Sequence, residues 1–135
     1  CIDCHDPHAS VRYADDDWNP GQGLVSACAS CHFNEAANRN TVAMANLDCV
    51  DCHMPKVTRS ALSVGLEGDV ATHLFGINPD PTAPQFYEEE GQQFMSPYLS
   101  IEYACLRCHS PAGPGTVKTN QQLHDLAEGF HEPTN

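Results

Sequence analysis

The chain has 135 residues, with 6 basic against 18 acidic side chains and a net charge of −12. That length suggests one domain, and so acidic a surface disfavours nucleic acid, whose phosphate backbone needs Lys and Arg. No apolar run approaches the ~18 residues of a membrane span, and the acidic runs at 15–17 and 88–90 read as solvated faces, since neither has the alternating oxygen ligands of a calcium loop.

In chain order the dominant feature is Cys-x-x-Cys-His, which occurs four times and uses all eight cysteines. The copies are Cys1-Ile2-Asp3-Cys4-His5, Cys28-Ala29-Ser30-Cys31-His32, Cys49-Val50-Asp51-Cys52-His53 and Cys105-Leu106-Arg107-Cys108-His109. This is the attachment signature of c-type haem: two thiols add to the two vinyl groups on one porphyrin edge, and the following imidazole becomes the proximal iron ligand. Zinc sites do not oblige a histidine to follow each second cysteine. A thioredoxin-like pair would be a single copy near a βαβ pattern, and disulfides between cysteines three apart would staple almost nothing. Histidine is 8 of 135 residues, so its accidental placement after all four pairs has a chance of about 1 in 10⁵ on composition.

The expected cofactors are therefore four covalently bound c-type haems, attached at Cys1, Cys4, Cys28, Cys31, Cys49, Cys52, Cys105 and Cys108. The proximal ligands are His5, His32, His53 and His109, and four other histidines remain: His8, His73, His124 and His131. Four irons with two axial positions each need eight nitrogens, and the chain has eight histidines. With about 34 residues per haem, side chains cannot enclose an adequate core, and the porphyrins must serve as it.

A single tetrahaem domain over 1–135 is expected, divided into a three-haem segment (1–53), a haem-free connecting excursion (54–104) and a fourth haem with its C-terminal helix (105–135). A helix-forming run suggests a short helix over 34–46. The stretch Asn78-Pro79-Asp80-Pro81-Thr82-Ala83-Pro84 within the excursion cannot be helix, and so long a loop is uncommon unless functional. It is expected to cover haem faces and supply a distal ligand. A second helix over 98–109 delivers the fourth motif. A third begins at Thr119, with Gln122 at the capping-box position, and stops near Gly129. The fold class is mostly coil with short α-helices around four stacked haems, with little or no β-sheet.

His8 lies three residues after His5, a span of at most ~10–11 Å, and Pro7 fixes its path. It cannot readily reach the far face of its own haem and is expected to serve another. Met44 and Met95 are the alternative axial ligands, and either would raise the potential of its haem; Met54 directly follows a proximal histidine and meets the same geometric objection as His8. His124 and His131 are two helical turns apart and could share a face only if the helix passed Gly129.

The opening Cys1-Ile2-Asp3-Cys4-His5-Asp6-Pro7-His8 resembles the Cys-x-x-Cys-His-x-x-His start of multihaem electron-transfer cytochromes, including outer-surface cytochromes that polymerise into extracellular conducting filaments. The resemblance covers the four motifs and the His8 position. It implies electron transfer along a continuous haem chain, with His8 ligating a haem of the adjacent subunit. Unlike the cytochrome c3 pattern, the chain has no Cys-x-x-x-x-Cys-His spacing, no His-His pair and no lysine-rich surface. The expected role is electron transfer as a filament subunit, with a monomeric periplasmic or surface shuttle, or a haem domain of a larger chain, as the alternative. A multihaem reductase is the third class, and the equal numbers of ligands and axial positions lead to the expectation that the chain is not an enzyme. Expected partners are other redox proteins or an extracellular acceptor, and further copies of the chain. Haem c is attached after export, so the expected location is extracellular or the cell surface, with the periplasm as alternative. No leader-like segment opens the sequence, as expected of a mature exported chain.

Overall fold

A computed structural model of the chain describes residues 3–5, 26–38, 44 and 46–132. They belong to two compact units, one of 1–40 with 131–135 and one of 41–130.

In the first unit, a 3-10 turn over Cys28–Ser30 passes through Cys31 and His32 into helix α1, Phe33–Ala37. The amides of Cys31 and His32 both donate to the Cys28 carbonyl, at 3.2 and 2.9 Å, so the second motif is wound into one helical turn. Asn38 closes α1 twice over: its backbone and side-chain nitrogens donate to the Asn34 carbonyl at 3.0 and 2.8 Å. The helix expected over 34–46 therefore starts one residue early and ends far sooner, because an asparagine side chain competes for the carbonyl that a further turn would use. Residues 39–43 lie outside the described part of the chain.

The second unit opens with helix α2, Cys49–His53, whose third residue Asp51 folds back to accept the Asp48 amide at 2.8 Å. The 54–104 segment is where expectation and structure part. It carries three two-stranded sheets rather than coil: β1 (Lys56–Val64) with β2 (Glu67–Ala71), β3 (Ile77–Asn78) with β6 (Leu99–Ser100), and β4 (Phe86–Glu89) with β5 (Gln92–Met95). The first and third pairs are antiparallel hairpins, and β3–β6 is parallel. The expectation of little or no β-sheet is thus corrected. Its physical cause lies in the turns, since Gly65 (φ 58°) and the Glu90–Gly91 pair (φ 52° and 75°) adopt the left-handed conformations that short hairpin connections require. Tyr87 and Phe94, directly opposite on β4 and β5, stack at 5.7 Å.

Hairpin β1–β2 is irregular and held by one side chain. The Asp69 carboxylate accepts from the Ser60 amide at 2.7 Å, the Ser60 hydroxyl at 2.7 Å and the Ala61 amide at 2.9 Å. These bonds bridge the stretch between Thr58 and Ser63 where the register shifts. Gly68 is needed beside it, because a Cβ there would run into the Thr58 carbonyl.

Helix α3, Ile101–His109, follows β6 directly, so the expected 98–109 helix loses its first turn to a strand. Buried Gln85 holds this junction: its amide donates to the Tyr98 carbonyl at 2.7 Å and its carbonyl accepts from the Ser100 amide at 2.8 Å. Helix α4, Asn120–Ala127, begins as expected. Thr119 accepts from the Gln122 amide at 3.2 Å and donates its own to the Gln122 side chain at 2.9 Å. It ends before Gly129 (φ 70°), so His124 and His131 do not share a helix. The 78–84 stretch is non-helical, with Asn78 and Asp80 side chains accepting the amides two residues on at 3.0 and 2.8 Å.

The buried hydrophobic residues among those described are Leu99, Ile101, Ala104 and Leu123, all at the packing of α3 on β6 and α4. Phe33, Val64, Phe75, Met95 and Val117 are more than half exposed.

The three bonds to Asp69, led by those from Ser60, hold its carboxyl well below the usual aspartate value. A depressed folded value stabilises the hairpin above the ordinary aspartate range near ~3.9 and ceases to do so as pH falls through the folded value. Amide exchange at Ser60 and Ala61 is expected to accelerate in Asp69→Asn at neutral pH and to lose its extra acid sensitivity. Unchanged exchange would show that the carboxylate does not hold the bulge.

Candidate haem-binding sites

Cysteine, cysteine and histidine at i, i+3 and i+4 fall on one face of an α-helix. Helix α2 presents Cys49, Cys52 and His53 in this way, and α3 presents Cys105, Cys108 and His109. In the second motif the 3-10 turn brings Cys28 and Cys31 together ahead of His32. In the first, Cys4 lies in a turn before His5, while Cys1 and His8 lie outside the described residues. No disulfide joins the described cysteines.

The third and fourth motifs meet, since α2 packs on α3. Burial pushes the Cys105 thiol up to about 11, with the Cys52 and Cys108 thiols beside it adding to the effect. Cys52 is likewise raised, chiefly by burial and then by Asp51 and Cys108. Both thiols are thus shifted away from the lowered values of reactive cysteines. Among the described residues no group of three or more His, Cys, Asp or Glu side chains converges on one point.

The histidines share a geometry that spacing could not reveal. His53 Nδ1 lies 2.6 Å from the Phe75 carbonyl, His109 Nδ1 2.8 Å from that of Thr116, His124 Nδ1 2.9 Å from that of Pro79, and His131 Nδ1 3.0 Å from that of Glu35. A carbonyl oxygen can only accept, so each Nδ1 carries the proton and donates it. In the neutral ring this makes Nε2 the lone-pair nitrogen, the atom through which imidazole binds a metal; that of His124 lies 3.9 Å from the Glu128 carboxylate. Two of these rings belong to Cys-x-x-Cys-His motifs and two, His124 and His131, are among the expected distal ligands. His32 has a different partner, the Glu35 carboxylate, 3.9 Å from its Nδ1. His73 meets Phe75 edge-on, with ring centroids 6.0 Å apart.

The residues present fit haem. Exposed apolar side chains near the candidate ligands in sequence include Phe33 after His32, Val50 within the third motif and Leu126 two residues after His124, while Phe75, whose carbonyl meets His53, is also exposed. A porphyrin would cover surface of this kind, which a small protein otherwise hides. Of the thioether alternatives, Met95 sits exposed on β5, and Met54 closes α2 immediately after a proximal histidine.

The sequence reading missed the partners that aim the rings. The signal for His109 was present in Pro111-Ala112-Gly113-Pro114-Gly115. This loop turns back on α3, with the Gly115 amide donating to the Cys108 carbonyl at 2.8 Å and the Lys118 amide to that of His109 at 3.0 Å. A Cβ on Gly115 would stand 2.9 Å from the Cys108 oxygen and 3.2 Å from His109 Nδ1. Phe75, Pro79 and Glu35 offer only their carbonyls, which no residue pattern distinguishes.

No protein-family model matches the sequence, and no curated protein matches it. Among solved structures the chain is similar to the octahaem sulfite reductase MccA, form II, of Wolinella succinogenes, with a TM-score of 0.65 and 14% identity. The match covers 96% of this chain and 28% of the reductase, so the chain spans little more than a quarter of the protein it resembles. The shared fold is that of a multihaem protein. This comparison also corrects one expectation: the chain cannot be set down as a non-enzyme, because its fold occurs in a reductase, and equal numbers of histidines and axial positions do not exclude catalysis on it.

Gly115→Ala is expected to push the His109 ring off the Thr116 carbonyl and convert one haem to a high-spin optical spectrum, at a cost of roughly 10-fold or more in ligand affinity. An unchanged spectrum would show that the glycine loop does not aim this ligand.

Proposed function

We propose that the chain is a tetrahaem electron-transfer module in which eight histidines hold four irons in pairs. The observation that carries this reading is the set of imidazoles locked through Nδ1 onto backbone carbonyls, in motif and non-motif positions alike. When bound, a haem iron between two imidazoles accepts and gives up single electrons. The chain's own residues set how well that is done. The cysteine pairs on α2 and α3, helices that pack together, would hold the third and fourth haems. Each Nδ1–H···O=C bond makes its imidazole a stronger donor, which favours the oxidised iron and lowers the potential. The Glu35 carboxylate acts in the same direction on His32. The surface charge of −12 favours cationic redox partners.

The proposed setting is extracellular or the cell surface, with the periplasm as alternative, and the partners are redox proteins or an extracellular acceptor. Assembly into a filament is part of the proposal. It is supported by the opening motif's resemblance to filament-forming cytochromes and by the short tether that keeps His8 from its own haem. A ligand donated head-to-tail makes a heterologous contact, and such contacts build open helical assemblies unless the rotation closes a ring.

A second reading has an observation of its own. Nearly the whole chain matches about a quarter of an octahaem reductase, which supports a haem-bearing portion of a larger reductase. Carbon monoxide separates the two, because a reductase needs an iron with an open axial position. The reduced protein is expected to keep its spectrum under carbon monoxide, and His124→Ala to gain a carbonyl band from one haem in four. A band in the unmodified protein would favour the reductase. Filaments in electron micrographs that vanish in His8→Ala would support the polymer, and their persistence in that variant would refute donation by His8.

A further inference from the structure

Glu35 stands between two histidines. Its carboxylate lies 3.9 Å from Nδ1 of His32, and its carbonyl accepts Nδ1–H of His131 at 3.0 Å. Both rings therefore turn their Nδ1 edges toward α1, and both Nε2 atoms are directed away from it. Phe75 occupies a comparable place. Its carbonyl accepts from His53 at 2.6 Å, and its ring meets that of His73 with centroids 6.0 Å apart.

We infer that ligation is crossed: His131 is an axial ligand of an iron other than the one His32 binds, and His73 of an iron other than the one His53 binds. The inference rests on the tetrahaem reading above. Iron binds at Nε2, so whatever contacts Nδ1 lies behind the ring, on the same side of that porphyrin as the ring itself. Each axial imidazole stands off its metal by a bond of about 2 Å and adds its own ring and Cβ, so backbone segments bearing opposite ligands of one iron lie more than about 10 Å apart.

Glu35 is on the proximal side of the second haem site, only three residues along the chain from His32, or about 4.5 Å of helical rise. If His131 bound the opposite face of that porphyrin, the carbonyl holding its Nδ1 would have to lie beyond it on that far side. One Glu35 cannot stand on both sides. The same reasoning holds independently for His73. The Phe75 carbonyl is behind His53, and His73 is two residues from Phe75, a reach of at most about 7 Å. That is too short to round the macrocycle and approach it from the other face. Each of these residues thus backs one haem site while its histidine partner serves another, so neighbouring sites are tied through a single residue.

The test uses the haem-loaded full chain. His131→Ala and His73→Ala are each expected to turn one haem of the four high-spin by electron paramagnetic resonance. The haem of the second motif is then removed from the first variant by Cys28→Ala with Cys31→Ala, and that of the third motif from the second variant by Cys49→Ala with Cys52→Ala. Crossed ligation predicts that both high-spin signals persist. Their disappearance with the deleted haem would overturn it. If the cysteine variants do not fold, proton NMR of the reduced parent gives the same answer: contacts of the His131 ring with thioether protons of Cys28 or Cys31 would refute the inference, and contacts with another motif's thioethers would support it. A parent with fewer than four haems by pyridine haemochrome, or with a high-spin signal of its own, would instead sink the tetrahaem reading.

Discussion

A neutral imidazole has one donor nitrogen and one acceptor nitrogen, and fixing the donor decides where the acceptor points. Four histidines of this chain have that choice made for them by a backbone carbonyl. Such a bond contributes only about 1 kcal/mol to stability, so its effect is less on the fold than on direction. It selects the tautomer and turns the ring, so that Nε2 is the nitrogen that carries the lone pair. The glycine loop after α3, Pro79 just after β3 and the first turn of α1 all place a carbonyl behind a ring.

The fold has little else to be stable with. The buried hydrophobic residues of the described part amount to two on α3, one on β6 and one on α4, while many large apolar side chains stand exposed. The hairpins are two-stranded, and isolated ribbons of that kind are marginal in water. Their turns and the three bonds to Asp69 specify local shape without supplying a core. On the proposed reading, a planar apolar cofactor fixed by thioethers and axial nitrogens would supply what the side chains lack. The chain would then depend on the porphyrins to fold, much as small metal domains depend on their metal.

The chemistry was more legible in the sequence than the architecture. Cys-x-x-Cys-His names its cofactor because the cysteine and histidine spacing is both a helical face and a reaction geometry, and α2 and α3 present it that way. The capping box at Thr119 and the stop before Gly129 were legible because caps are local. The sheets were not. Their strands are short, Lys56–Val64 has no strict alternation, and the deciding signals were single turn residues such as Glu90 and Gly91. The carbonyl partners were invisible in principle, since any residue offers one. The expectation that the chain is not an enzyme failed for a different reason: counting ligands bounds how many irons can be saturated, not whether this fold can be adapted to catalysis.

The proposed centre of the protein is four irons, each held between two of the eight histidines. Electron paramagnetic resonance of the fully oxidised chain, integrated against a spin standard and a pyridine haemochrome count, tests this most directly. The prediction is four haems per chain, all low-spin with bis-imidazole character, and no high-spin iron. Fewer than four haems, a high-spin component or a methionine–iron charge-transfer band in the matching optical spectrum would contradict it.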